Sequence, residues 1–284
     1  MSGWPAPAKL NLFLLVTGRR PDGYHELSTV FQFLDFGDSL AFTPRADGSV
    51  RLRNPTSGVA PEQDLIVRAI RTLERESGRR LGVEVRVDKH IPIGGGLGGA
   101  SSDAATTLVA INALWKLGFA SDRLAALGLG LGADVPVFVR GAAAWASGIG
   151  EVLVPDRFPE PWYVVIYPAI AVSTAEIFAA PELTRGSKPA KIGCFSLDEA
   201  RNDCEPVVRR RYPEIARVLD WLHERGPARL TGTGSSVFTW RESRDEAAAL
   251  AAAVSAPWRA IVACGRNRSP LADKIEAEGF DVGA

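Results

Sequence analysis

The apolar run at residues 10–16 (Leu-Asn-Leu-Phe-Leu-Leu-Val) predicts a buried strand, entered through Pro5 and Pro7. Residues 29–41 are aromatic and β-prone, and Asp47-Gly48 then signals a hairpin turn with a return strand at 50–53. Over residues 61–76, Leu65, Ile66, Ala69, Ile70 and Leu73 share one helical face, and Gly78 stops the helix. Val83, Val85 and Val87 alternate with Glu84 and Arg86, the period of a half-buried strand. Residues 104–115 then tolerate a helix that ends before Gly118, and a further helix starts at Ser121. In the second half, residues 142–154 predict an edge strand or connector, and 162–167 a strand. Ser173 caps a helix that begins at Thr174, and 185–196 is a loop. The alanine-rich stretch 246–254 predicts a helix, and 258–264 a final strand. Pro155, Pro159 and Pro161 mark the best domain boundary.

The stretch between the alternating strand and the alanine-rich helix reads Ile93-Gly94-Gly95-Gly96-Leu97-Gly98-Gly99-Ala100-Ser101-Ser102-Asp103. A helix N-terminus leaves unpaired N–H groups and a partial positive charge, and glycines let an anion approach that backbone. Phosphate is the natural ligand. A flexible linker would need neither the strand before it nor a serine cap on the helix after it. The loop lacks the Lys-Ser/Thr pair of a P-loop, since Ala100 and Ser101 stand in those places. Gly94, Gly96 and Gly99 do fit the dinucleotide spacing G-x-G-x-x-G. That fold needs an acid ending the next strand, whereas Asp122 follows Ser121 at the start of a helix. No H-R-D or D-F-G element of a protein kinase follows.

Formal net charge is zero, so no global field favours nucleic acid or an anionic membrane, and anion binding must be local. No run reaches the roughly twenty apolar residues of a membrane span. Cys194, Cys204 and Cys264 form neither a metal-ligand spacing nor an even disulfide framework. Lys9 and Asn11 interrupt the N-terminal apolar run, and no signal-peptide cleavage site follows. The expectation is a cytoplasmic protein with no nucleic-acid or membrane partner.

Pro92 with residues 93–102 resembles the P-x-x-x-G-L-G-S-S phosphate loop of the GHMP small-molecule kinases, which include galactokinase, homoserine kinase and mevalonate kinase. Five further stretches follow in the order of one branch of that superfamily. They are Pro7-Ala8-Lys9-Leu10-Asn11-Leu12, Arg20-Pro21-Asp22-Gly23-Tyr24-His25-Glu26-Leu27, Gly132-Ala133-Asp134-Val135-Pro136, Asn202-Asp203-Cys204-Glu205-Pro206, and Leu230-Thr231-Gly232-Thr233-Gly234-Ser235-Ser236-Val237-Phe238. The resemblance implies an α+β, two-domain GHMP kinase fold, with an N-terminal ATP-binding domain (1–155), a C-terminal substrate domain (156–284) and a cleft between them. It implies ATP as co-substrate, Mg²⁺, and a small-molecule acceptor carrying a cytidine diphosphate group, acted on by a monomer or weak homodimer.

Residue by residue, the resemblance makes Lys9 and Asp134 catalytic, with Asp134 accepting the proton of the attacking hydroxyl. ATP phosphates fall to Pro92, Gly94, Gly95, Gly96, Leu97, Gly98, Gly99, Ala100, Ser101 and Ser102, and Mg²⁺ to Ser101 or Ser102. The acceptor falls to Asn11, Tyr24, His25, Phe31, Thr174, Phe178, Gly232, Thr233 and Gly234. In that branch Tyr24 would stack on the cytosine, His25 would pair with its edge, and Phe31 and Phe178 would form further walls. Each residue also has a structural reading. Lys9 can reach solvent along its stem, Asp134 can serve a turn, and Tyr24-His25, Phe31 and Phe178 can be packing. Adenine contacts would fall near Leu65 or Lys89. Competing functions are another GHMP kinase acting on homoserine or a mevalonate-like acid, a non-catalytic nucleotide- or sugar-sensing relative, and a dinucleotide oxidoreductase.

Overall fold

The computed structural model describes residues 3–55, 59–198 and 200–280. Strands β1 (Trp4–Arg19) and β2 (His25–Pro44) form a long antiparallel hairpin that runs through the molecule. Pro5 and Pro7 lie inside β1 rather than before it, and the register slips between Pro7 and Lys9. The hairpin turns at residues 20–24, where Asp22 Oδ1 accepts the Tyr24 N–H at 3.1 Å.

The far end of β2 pairs antiparallel with β4 (Val83–Asp88), and β3 (Val50–Leu52) lies outside β4, parallel to it. The hairpin expected at Asp47-Gly48 therefore does not form. Asp47 does build a turn there, accepting from Ser49 N at 3.0 Å, but β4 takes the place beside β2. The sequence signal was local, and the pairing is decided by the alternating valines of β4, buried at Val83, Val85 and Val87. Residues 142–154 supply β5 (Ala144–Ser147), paired with β2, and the edge strand β6 (Val152–Pro155).

A second group comprises β7 (Trp162–Tyr167), β8 (Arg229–Leu230), β9 (Val237–Arg241) and β10 (Arg259–Arg266). β10 lies between β7 and β2, joining the latter through Gly265–Leu34 and Arg266–Phe33, so the ten strands found among the described residues belong to one sheet.

Helices α1 (Leu65–Ser77), α2 (Gly99–Leu114), α3 (Ser121–Leu129) and α4 (Val135–Arg140) cover the first half. Asp64 caps α1 and Gly78 ends it in a left-handed conformation, as the periodicity predicts. α2 is buried along nearly its whole length from Ser102 to Ala113, packing Leu108, Val109 and Ile111 into a core with Phe33, Leu40, Ile70 and Val85. The second half carries α5 (Thr174–Ala179), α6 (Glu205–Arg211), α7 (Pro213–His223) and α8 (Arg244–Ala252), which pack Ile177, Val208, Leu219 and Ala247 on Leu14, Val164 and Ile166. The expected final strand is not the end of the fold: α9 (Pro270–Ala277) follows and returns to the first core through Leu271. No helix among the described residues is long and apolar enough to cross a membrane.

Candidate active site

Two glycine-rich turns meet at the start of α2. Gly94, Gly96 and Gly98 all take positive φ, so the loop from Pro92 folds back on itself before the helix. The second turn, 231–236, docks on it through backbone bonds, Ser235 N to Gly94 O (3.3 Å) and Ser236 N to Gly95 O (3.0 Å). At Gly96 a side chain has no room: an added Cβ would lie 2.6 Å from Thr231 O and 2.7 Å from Gly234 O. α2 begins at Gly99, five residues earlier than the alanine run suggested, and its N-cap is Gly98 without any side-chain cap. Ser101 and Ser102 therefore do not cap the helix. They lie in its first turn, and the Ser102 hydroxyl is buried with no protein partner.

A cleft of about 780 Å³ opens in front of these turns. Lys9, Asn11, Phe31, Pro92, all of residues 94–101, Asp134, Thr174, Phe178, Gly232 and Thr233 line it, so most of the expected site residues converge. Leu65 and Lys89 line it as well. Ser102, Tyr24, His25 and Gly234 are not on its wall. Tyr24 is exposed at the hairpin turn, and His25 is buried behind Phe178, with ring centroids 5.0 Å apart. Gly234 supports the site indirectly, through its carbonyl beside Gly96.

Lys9 is 3% exposed, in the β1 segment that crosses below the phosphate loop. Its backbone N–H donates to Leu97 O at 3.0 Å, which ties β1 to that loop. Its ammonium donates to Asn11 Oδ1 at 2.5 Å, pairs with Asp134 Oδ2 at 3.2 Å, and lies 5.3 Å from the centre of the Phe31 ring. Asn11 is itself fixed from two sides, its backbone N–H donating to Thr231 Oγ1 (2.9 Å) and its Nδ2 to Thr29 Oγ1 (3.0 Å). Asp134 stands at the N-cap of α4 yet makes no cap hydrogen bond. Its carboxylate turns toward Lys9 and the cleft, so a capping role does not account for it.

Asn202 and Asp203 belong to a stretch the sequence singled out, and Lys89 to the expected adenine end, but their partners, and Arg185 altogether, escaped the sequence reading. Asn202 donates through Nδ2 to Leu230 O and Gly232 O, both at 2.8 Å, and so fixes the second glycine turn. Asp203 holds the same segment on β1, accepting Val16 N–H at 2.8 Å. Lys89 joins Asp38 (2.5 Å) and Asp103 (2.8 Å), and the Asp38 carboxylate also accepts from the backbone of His90 and Ile91. Burial pushes the Asp103 carboxyl up to about 7, against the pull of Lys89 and helped by Asp38. Arg185 clamps the chain after α5 and reaches His25. Each acts on groups distant in sequence, so the partners could not be read from the residues around it.

The chain is similar to known proteins over nearly its whole length. Residues 64–142 match the N-terminal domain of the GHMP kinases, and residues 188–260 match their C-terminal domain. A Nitrosococcus oceani protein named 4-diphosphocytidyl-2-C-methyl-D-erythritol kinase is 55% identical over 97% of this chain and 99% of its own length. A Pseudomonas aeruginosa protein of the same name is 55% identical over 96% of both chains. A crystal structure of 4-(cytidine 5'-diphospho)-2C-methyl-D-erythritol kinase superposes with a TM-score of 0.81 at 33% identity, covering 92% of this chain and 98% of that one. Methanococcus jannaschii mevalonate kinase, at 16% identity and a TM-score of 0.64, shares the fold. The α+β architecture read from the sequence is the one observed, and the chain belongs to the GHMP kinase family.

Proposed function

We propose that this chain transfers the γ-phosphoryl group of ATP to the 2-hydroxyl of 4-diphosphocytidyl-2-C-methyl-D-erythritol, giving the 2-phosphate and ADP in the non-mevalonate route to isoprenoid precursors. The observation that carries it is the buried Lys9 ammonium, held between Asn11 Oδ1 and an uncapped Asp134 carboxylate in front of the phosphate loop. Relatives of that name, 53–55% identical over nearly the whole chain, supply the acceptor.

Phosphoryl transfer passes through a loose transition state, so positioning and charge neutralisation outweigh the strength of any base. Backbone N–H groups of the phosphate loop and the N-terminus of α2 receive the ATP phosphates, apart from those of Gly95 and Ser102, which donate to Pro92 O and Gly98 O. Asp134 takes the acceptor's hydroxyl proton as its oxygen closes on phosphorus. Lys9 holds Asp134 in place and offsets negative charge on that oxygen. Among the described residues no group of three or more His, Cys, Asp or Glu side chains could cage a metal. The Ser102 hydroxyl, buried with no protein partner in the first turn of α2, and its neighbour Ser101 are the residues that would hold Mg²⁺. When bound, Mg²⁺ supplies further neutralisation of phosphate charge.

The acceptor occupies the end lined by Thr174, Phe178, Gly232 and Thr233, and ATP the end lined by Leu52, Leu65 and Lys89. This assignment corresponds to a nucleotide half at 1–155 and an acceptor half at 156–284. Thr174 and Thr233, whose hydroxyls lie 2.9 Å apart, would meet the acceptor's polar groups together. The test is ATP-dependent phosphorylation of the cytidylyl substrate, with mevalonate and homoserine in parallel. Transfer to the cytidylyl substrate alone is expected; transfer only to another acceptor would overturn the substrate assignment.

A further inference from the structure

The polar groups that hold Lys9 lead inward to one hydroxyl. Thr29, on β2, is fully buried and lies off the cleft wall, so it touches no reacting group. Two residues on, Phe31 shares its face of the strand and carries the Lys9 ammonium over its ring. Opposite them β1 has a bulge: Asn11 pairs with Phe31 and Leu14 with Thr29, so Leu12 and Phe13 together oppose Val30. The Thr29 hydroxyl donates to Phe13 O, inside that bulge. A hydroxyl has a single proton, so Thr29 Oγ1 can meet the Asn11 carboxamide only as an acceptor. It accepts from Nδ2 at 3.0 Å. The other end of the amide, Oδ1, is thereby aimed at the Lys9 ammonium, 2.5 Å away. Turned over, the amide would set its N–H groups against a buried cation.

We propose that Thr29 is a positioning residue for phosphoryl transfer. Its hydroxyl, tied down by the bulge, orients the Asn11 amide so that Oδ1 holds the Lys9 ammonium against Asp134. This inference rests on the reading above, in which Lys9 and Asp134 serve the transfer. The ammonium is shared between Asn11 Oδ1 and Asp134 Oδ2, so the place of Oδ1 decides where the charge stands beside the carboxylate. It therefore decides how both groups meet the attacking oxygen, where a displacement of about 1 Å is costly. The ATP end is held by other bonds. Lys9 N–H meets Leu97 O through the main chain, and the two glycine turns join through their own backbones. Loss of the Thr29 hydroxyl should thus reach turnover and leave nucleotide binding nearly untouched. Valine in its place keeps the shape but offers Nδ2 no acceptor and Phe13 O no donor, so the amide is free to turn.

The experiment compares Thr29→Val and Thr29→Ser in steady-state kinetics and adds Thr29→Val to an Asn11→Ala background. Thr29→Val should lower kcat tenfold or more and change KM for ATP by less than about threefold. Thr29→Ser restores the hydroxyl and should bring kcat back to within about threefold of the native value. Once Asn11 is alanine, Thr29→Val should cost less than about threefold further, because its route to Lys9 is gone. In native protein labelled with ¹⁵N-asparagine, the side-chain signal missing from Asn11→Ala identifies Asn11. One of its Nδ2 protons should show a nuclear Overhauser contact to Thr29. A native spectrum without that contact would overturn the proposal, whether or not any variant folds. So would a folded Thr29→Val with native kcat, or an equal loss in kcat with and without Asn11, since a purely structural role predicts the latter. A native protein that phosphorylates no acceptor would instead overturn the functional assignment, and the native spectrum would still decide how the Asn11 amide is turned.

Discussion

Lys9 and Asp134 lie far apart in sequence and 3.2 Å apart in space, and that separation decides what each can do. An almost fully buried ammonium needs compensation, which here comes from one carboxylate, one amide oxygen and one aromatic face. Asp134→Asn keeps the shape and removes the proton acceptor, so kcat should fall by about 10²–10⁴ while ATP affinity changes little. A loss under about threefold in steady-state turnover would remove Asp134 from that role. Asp103 gives a second prediction at this scale. Its carboxyl is raised to about 7 in the folded chain against about 3.9 unfolded. Between those values the folded state keeps a proton that the unfolded state has lost, so stability falls as pH rises through that window. Asp103→Asn should flatten that slope in urea titrations run from pH 4 to 8; an unchanged slope would show that Asp103 is ionised throughout. Lys9 and Asp134 were legible through the motifs around them. Asp103 and Arg185 were not, because their roles depend on partners such as Asp38, Lys89 and His25, brought close only by folding.

Elements with strong internal period were readable, and those fixed by pairing were not. The α1 face, the β4 alternation and the Ser173 cap follow directly from local sequence. The strand at 50–53 was recognised, but its partner was misjudged, since β4 rather than β2 lies beside it. α2 was placed five residues late because Gly99, Ala100 and the two serines look like loop; the left-handed Gly98 starts the helix without a polar cap. That early start matters for the site, since it brings the free N–H groups of the first turn up to the phosphate loop. The contact between the two glycine turns can be tested at Gly96. Gly96→Ala meets both a positive φ of 75° and the Thr231 and Gly234 carbonyls, so the second turn must move away. We expect a loss of about 1–3 kcal/mol in stability and a rise of tenfold or more in KM for ATP, on the order expected from misplaced phosphate donors. A variant with native stability and native KM would show that the two turns act independently.

Across the whole molecule, the proline-rich segment at 155–161 marks a change of neighbours, yet the structure crosses it repeatedly. β10 bonds to β7 on one side and to β2 on the other. Gln32 of β2 accepts the Tyr163 hydroxyl at 2.7 Å and donates to Pro159 O at 2.9 Å, and burial raises the Tyr163 phenol so that it stays protonated as the donor. α9 closes the circuit: Leu271 is 1% exposed in the first core, and Phe280 stacks on Trp4 with centroids 5.4 Å apart. This return was not foreseen, because residues 270–277 lie beyond the last expected strand and their partners in the first core are distant in sequence. A chain joined in this way should unfold as one unit, since exposing either half uncovers apolar surface of the other. Leu271→Ala tests that coupling, removing a buried side chain from the N-terminal core by a change near the C-terminus. It should cost about 2–4 kcal/mol and lower the midpoint of a single transition followed by circular dichroism. Nucleotide binding should be lost at the same urea concentration as secondary structure. Two separated transitions, with only the earlier one shifted by the substitution, would show instead that the halves fold independently and that α9 is an appendage of one of them.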